Sequence, residues 1–235
     1  LSVLKGPSAA ALYGSRAGNG VILITTKTGR KQKGLGVTFT SSVGFESIFT
    51  KPKMQNDYGQ GSTDVFNPRS NLSWGPKITG QSLANWNGVT EPLRSYDNVG
   101  NYFDNLGTTI NNSISFQESI QKTSIYTSLN RMQDNSMVPG ARLGRTNLMA
   151  KTTSKLGDTD RWTLDTKVQY TNAKANNRSV GGPNGTNPFY LLNLLPRSLD
   201  ITQFENPIDS QSNMIWYGTG SGLNPYWASK YNLNE

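Results

Sequence analysis

Few side chains in this 235-residue chain can do acid–base chemistry. Glu46, Asp57, Asp64 and Asp104 are the carboxylates from which a glycosidase-like pair could be drawn. The chain has no His and no Cys. That excludes Ser-His-Asp and Cys-His catalysis, disulfides and His-ligated metals. Scattered loop acids are ordinarily solvated, and nothing else completes a catalytic set. The chain therefore reads as a non-enzyme with no catalytic residues, no metal and no cofactor. Four aromatic residues carry the other candidate chemistry. Tyr58, Trp74, Trp86 and Tyr96 lie among Gly, Asn and Pro. They have two readings: they pack the loop that holds them, or they stack on a sugar face or contact a peptide. A ring offers a flat apolar surface with a polar edge, which suits either role.

Two further clusters invite a ligand. Gly14, Gly18 and Gly20 form a glycine-rich turn. A P-loop needs G-x-x-x-x-G-K-[ST], and a dinucleotide turn needs G-x-G-x-x-G opening a helix. Neither spacing occurs, so the glycines read as turn and packing residues. The net charge is +8, and its one dense cluster is Lys27, Arg30, Lys31 and Lys33. A nucleic-acid module wants clustered cations with interleaved aromatics, so no nucleic-acid partner is expected.

The elements that must position these groups are mostly strands. Residues 1–4 read as the end of one strand, stopped by Gly6-Pro7. Ala-rich residues 8–13 are expected to form one or two helical turns, and residues 21–26, β-branched apart from Leu23, a buried strand. Residues 28–35 are polar, basic and flanked by Gly, which marks a linker. Beyond it the chain is only 34% hydrophobic, with 24 Gly, too polar for a compact enzyme core. It suits a wet β-barrel with one polar strand face and long loops.

Alternation marks five wall strands. In residues 37–45, Val37, Phe39, Val43 and Phe45 share a face that Ser41 interrupts. In 108–117, Ile110, Ile114 and Phe116 share a face that Asn112 interrupts. In 123–131, Ile125 and Leu129 point out while Ser124, Ser128 and Asn130 point in. In 142–153, the weakly apolar face is Thr146, Leu148, Ala150 and Thr152. In 162–170, Trp162, Leu164, Thr166, Val168 and Tyr170 alternate with Thr163, Asp165, Lys167 and Gln169. These lengths approach the about 9–11 residues of a tilted membrane strand. The apolar faces are expected to meet lipid. Long polar stretches at 47–101 and 173–235 read as two large loops, the second holding a short helix that starts at Asn187-Pro188. If the first strand rises from the periplasm, both long connections fall outside and the short ones inside, as in bacterial outer-membrane barrels.

The stretch K-G-P-S-A-A-A-L-Y-G-S-R-A-G-N-G-V-I-L-I-T-T-K, residues 5–27, resembles the end of the plug domain of TonB-dependent outer-membrane transporters. The triple Ala, then Leu-Tyr-Gly-Ser-Arg-Ala and Asn-Gly-Val-Ile, resemble the SusC/RagA branch, as do YGQG (58–61) and SWGP (73–76). The resemblance implies an all-β membrane protein, part of a large antiparallel barrel of about 22 strands. Residues 1–33 would end the plug and its linker, and 34–235 would begin the wall. With no leader and no initial Met, the chain reads as a piece of a longer protein. The implied function is import of a glycan or peptide with TonB-supplied energy, in the outer membrane and in contact with its lipid. The implied partners are a SusD-like surface lipoprotein and the TonB–ExbB–ExbD complex. A siderophore or cobalamin receptor is the alternative, and a non-transporting adhesin a further one. Gly6, Pro7, Tyr13, Gly14, Arg16 and Gly20 are the motif's structural residues, with Arg16 expected to pair with a carboxylate. TonB would pull the plug's opposite end, making residues 1–27 a stationary anchor.

Overall fold

The computed structural model describes residues 2–25, 27, 29, 36–103, 106–178, 181–218 and 223–231. Most of the expected 28–35 linker, and Asp104, lie outside the described residues. Packing divides the chain into two units. One comprises Leu1–Phe39, Ser113–Leu129 and Asn147–Tyr170; the other comprises Thr40–Asn112, Asn130–Thr146 and Thr171–Glu235. The division crosses the wall strands and does not address the plug–wall boundary expected near 33.

In the first unit, β1 (Ser2–Leu4) pairs antiparallel with β2 (Val21–Leu23), matching Leu4 with Val21. Helix α1 (Pro7–Tyr13) lies between them. It starts where Pro7, lacking an amide hydrogen, occupies the first turn, and it stops at Gly14, which has φ 76°. A 3-10 turn, Ser15–Ala17, follows. Gly20 has φ 102°, and a Cβ there would lie 3.0 Å from the Leu4 carbonyl oxygen. Gly18, by contrast, is ordinarily helical at φ −56°.

One expectation for this segment, a buried strand over 21–26, is corrected. β2 ends at Leu23, and Ile22 and Ile24 are 65% and 76% exposed. A two-stranded ladder with one partner leaves their outer surface uncovered among the described residues. Arg16 is exposed and makes no ion pair among those residues.

The wall is a five-stranded sheet whose spatial order follows the chain. β3 (Val37–Glu46) neighbours β8 (Gly107–Ile120), then β9 (Thr123–Asn135), β10 (Arg142–Leu156) and β11 (Trp162–Asn176). The strands outrun the alternation that announces them. β8 reaches Ile120, so two residues, Gln121 and Lys122, make the next turn where about five were expected. β9 reaches Asn135, β10 reaches Leu156 and β11 reaches Asn176. A ladder needs backbone partners, not apolar side chains, so it continues past the apolar stretch. At the short turns, Lys122 Nζ donates to the Gly157 carbonyl at 2.9 Å and pairs with Asp160 at 2.9 Å. That contact holds the Asp160 carboxyl below its usual range.

The apolar faces align across strands. In the first unit Val37, Ile114, Phe116, Leu129 and Leu148 line one surface trough. In the second unit, the two polar interruptions of that face meet. Ser41 Oγ donates to Asn112 Oδ1 at 2.7 Å. On the other face of β8, Asn130 Nδ2 donates to Asn111 Oδ1 at 2.8 Å, and Thr109 Oγ1 to Asp134 Oδ1 at 2.5 Å. Edge strands β3 and β11 are exposed along their whole length, since each has one neighbour.

The second unit also holds the loops, which are not independent. The 47–106 connection carries two small hairpins, β4 (Gly61–Ser62) with β5 (Val65–Phe66), and β6 (Ser82–Ala84) with β7 (Thr90–Pro92). It ends in a short helix, α2 (Asn98–Tyr102). The 177–231 stretch carries α3 (Pro188–Leu194), a 3-10 turn (Ile201–Phe204) and α4 (Pro225–Lys230). Tyr102, Val138, Leu192, Ile201, Phe204 and Tyr226 form one core drawn from both and from the turn between β9 and β10.

We predict that Val168→Arg costs about 2–4 kcal/mol of folding stability, because it places a cation in the apolar band. Lys167→Arg, on the other face, is expected to change little. Denaturant titration of the protein refolded into bilayers measures both; a harmless Val168→Arg would mean the register is wrong.

Candidate ligand-facing surface of the loop cap

Four buried polar side chains set the geometry of the cap. Asn224 has no exposure. Its Nδ2 donates to the carbonyls of Phe204 (3.0 Å) and Ile215 (3.1 Å), while its Oδ1 accepts from Tyr226 N (2.9 Å) and caps α4. Asn98, equally buried, accepts from Ile201 N at 3.1 Å and donates to the Pro196 carbonyl at 3.4 Å. Arg197 is 7% exposed. It donates to the carbonyls of Gln55 (3.1 Å) and Tyr96 (2.6 Å) and to Asn56 Oδ1 (3.2 Å). Burial lowers its pKa, and the Asp97 charge opposes that shift. Asp97 itself caps α2 through Gly100 N and pairs with Lys51, and the Lys51 contact holds it below the usual carboxylate range. Gln60 Nε2 donates to the Pro68 carbonyl (3.0 Å) and the Ser70 carbonyl (2.6 Å).

The two short motifs are partners. In YGQG and SWGP, Gly59 N donates to the Pro76 carbonyl (2.9 Å) and Gly75 N to the Gly59 carbonyl (3.0 Å). Trp74 N donates to the Gly61 carbonyl at 3.0 Å. A Cβ on Gly75 would sit 2.3 Å from the Gln60 carbonyl oxygen, so this approach requires glycine. Gln55 binds both segments, accepting from Tyr58 N at 2.9 Å and donating to the Ser73 carbonyl at 2.9 Å.

This framework places the four aromatic candidates in two pairs. Tyr58 and Trp74 lie with ring centroids 5.8 Å apart, and Trp74 is 61% exposed. Trp86 and Tyr96 line one narrow cleft with Asn85, Glu91, Asp200 and Gln203. Trp86 packs 4.9 Å from Phe204, and its Nε1 donates to Gln203 Oε1 at 2.8 Å. Tyr96 lies under the Arg94 guanidinium, 5.0 Å from its centroid, and its hydroxyl accepts from Arg94 Nε at 2.8 Å. Trp86 therefore packs the loop, whereas Trp74 presents a ring to solvent.

Sequence reasoning missed the polar lining of the cleft and the hub residues Asn98, Arg197 and Asn224. A signal existed for Asn224: Asn224-Pro225-Tyr226 repeats Asn187-Pro188-Phe189, the helix start that was read correctly. Of the candidate acids, Asp104 lies outside the described residues. Glu46 ends β3, and Asp64 sits in the β4–β5 turn at φ 65°. Among the described residues, no group of three or more His, Cys, Asp or Glu side chains could hold a metal ion.

Asn224→Ala would leave buried carbonyls of Phe204 and Ile215 without their donor, at about 1–3 kcal/mol per unsatisfied group. We predict faster hydrogen exchange throughout the cap, and unchanged exchange would contradict the hub role. For Trp74→Ala the expected outcome is unchanged thermal stability with weakened ligand binding; a stability loss as large as that of Trp86→Ala would make Trp74 a packing residue.

No helix among the described residues is long and apolar enough to cross a membrane, which says nothing of strands. No family model matches the chain. The chain is similar to the TonB-dependent receptor SusC of Bacteroides thetaiotaomicron, at 44% identity over 78 residues. Those residues are 33% of this chain and 7% of that receptor, so the match spans a small part of the receptor's length. That identity, the plug-end motif and the apolar-faced strand meander point the same way: over the matched residues the chain is similar to a TonB-dependent receptor of the SusC type, and its mostly β-sheet fold suits part of a plugged β-barrel.

Proposed function

We propose that this chain forms the end of the plug and the first part of the wall of an outer-membrane transporter, not an enzyme, that imports a nutrient with TonB-supplied energy. The observation that carries this reading is the 44% identity to SusC. The substrate class is a glycan or a peptide. A SusD-like surface lipoprotein delivers it from outside, and the TonB–ExbB–ExbD complex acts from the periplasm. The loop cap faces outward, and exposed Trp74 with Tyr58 offers ligand a stacking surface beside the cleft of Trp86 and Tyr96. The plug-end segment is the fixed end of a movable plug. TonB draws on the far end while β1, β2 and the intervening turn stay joined to the wall through residues 28–35.

The test is uptake by the full-length protein in cells with and without TonB. Uptake lost without TonB, and reduced without the SusD-like partner, supports the reading. Growth restored by an iron chelate or a cobalamin, and by no glycan or peptide, would move the protein to another branch. The anchor role has its own test, because Gly20 has both a positive φ and a Leu4 carbonyl 3.0 Å from where its Cβ would stand. Gly20→Val is expected to lower barrel yield while leaving ligand binding per folded molecule unchanged. Normal yield with lost binding would make the turn a ligand contact.

A further inference from the structure

Three strands change character where they leave the apolar band at the long-loop end. On β9 the outward positions run Ile125, Thr127, Leu129 and then Arg131. On β10, counting back from outward Leu148, the same face carries Thr146, Gly144 and Arg142. On β11, past Val168 and Tyr170, it carries Asn172 and Lys174. β9, β10 and β11 are neighbours in the sheet. Gly144 lies beside β11, since a Cβ on it would stand 3.9 Å from the Lys174 carbonyl oxygen. A residue without a side chain thus sits on the surface that carries the three cations.

Arg131, Arg142 and Lys174 are all exposed, and none makes an ion pair among the described residues. No outward position at this end of β8 to β11 is Asp or Glu. The nearest strand carboxylate, Asp134, points to the other face, where it accepts from Thr109. A cation on the outer wall beyond the hydrocarbon has water or a lipid headgroup for a neighbour. Three of one sign, with no Asp or Glu among the outward strand positions at this end, favour an anionic headgroup, and Gly144 brings no side chain to that surface.

We propose that Arg131, Arg142 and Lys174, around Gly144, form a docking surface for the anionic, phosphate-bearing headgroup of a lipid in the leaflet on the long-loop side. This rests on the reading of the strands as outer-membrane wall. The occupant is a membrane lipid rather than a free anion, because the three cations continue the lipid-facing positions of their strands. The headgroup binds by charge-assisted hydrogen bonds, in which two guanidinium groups chelate phosphate oxygens and the ammonium adds a point charge.

The test uses the full-length protein in nanodiscs of phosphatidylcholine with a minor fraction of phosphatidylglycerol. Native mass spectrometry reads which lipids stay bound. The wild type is expected to retain phosphatidylglycerol preferentially, and the R131Q/R142Q/K174Q variant to lose roughly ten-fold of that preference. R145Q is the control, since alternation puts Arg145 on the opposite face of β10, and it is expected to retain the preference. Equal retention by wild type and triple variant overturns the proposal. Displacement of the lipid by millimolar inorganic phosphate, with phosphate bound in its place, overturns the lipid as occupant. Insertion is scored separately by heat-modifiable migration. Wild type that fails to insert removes the wall reading and this proposal with it, whereas inserted protein without headgroup preference removes the proposal alone.

Discussion

A strand in hydrocarbon has no water to satisfy its amides, so every N–H and C=O must find a neighbouring strand. The rest of this structure depends on that constraint. It explains why the wall is an uninterrupted meander from β3 to β11, with no helix or long loop breaking the ladder between β8 and β11. It also explains the side chains that break the apolar face. Ser41 and Asn112 look like errors in their own strands, yet each is the other's hydrogen-bond partner. An unpaired hydroxyl or amide in an apolar medium costs about 2–7 kcal/mol, so the two must be considered together. The two edges remain open among the described residues, and five strands are too few to close a barrel.

The loop cap meets the same constraint by different means. Its interior holds Asn98, Asn224, Gln60 and Arg197 with little or no exposure. Asn98 and Arg197 join backbone groups from segments far apart in the chain, while Asn224 and Gln60 join nearer ones, so a few side chains do the joining that strand pairing does in the sheet. Arg197 links the 55–56 segment, Tyr96 and its own loop. Asn224 links α4 to the Phe204 and Ile215 backbones. A framework of this kind holds Trp74 outward and Trp86 against Phe204. The position of a ring in the cap therefore separates a ligand-facing role from a packing role, which residue type alone does not.

Much of the wall was legible in the sequence because strand periodicity is local: Val37, Ile114, Phe116, Leu129 and Leu148 do share a surface. Strand ends were less legible. Arg131 and Lys174 end the apolar alternation, but the ladder runs on to Asn135 and Asn176. The shared core of the two loops was invisible, since it brings Tyr102 to Tyr226 across more than half the chain with no periodic signal. The plug-end motif was readable as a sequence, but burial of Ile22 and Ile24 was not, because covering them takes more than the single ladder partner present. The pairing of YGQG with SWGP was half legible: both were recognised as motifs, and their contact came only with the fold.

The central claim is that alternate residues of this chain face lipid and water in a transporter wall. Single-cysteine labelling tests it most directly, since the chain has no Cys of its own. Cysteines would be placed in turn at each position of 163–169 in the full-length protein, in native membranes, with any other accessible thiol removed. A membrane-impermeant maleimide, admitted to both aqueous sides, would then be applied. The account predicts labelling at Thr163, Asp165, Lys167 and Gln169, and protection at Leu164, Thr166 and Val168. Uniform labelling, or the reverse alternation, would contradict it.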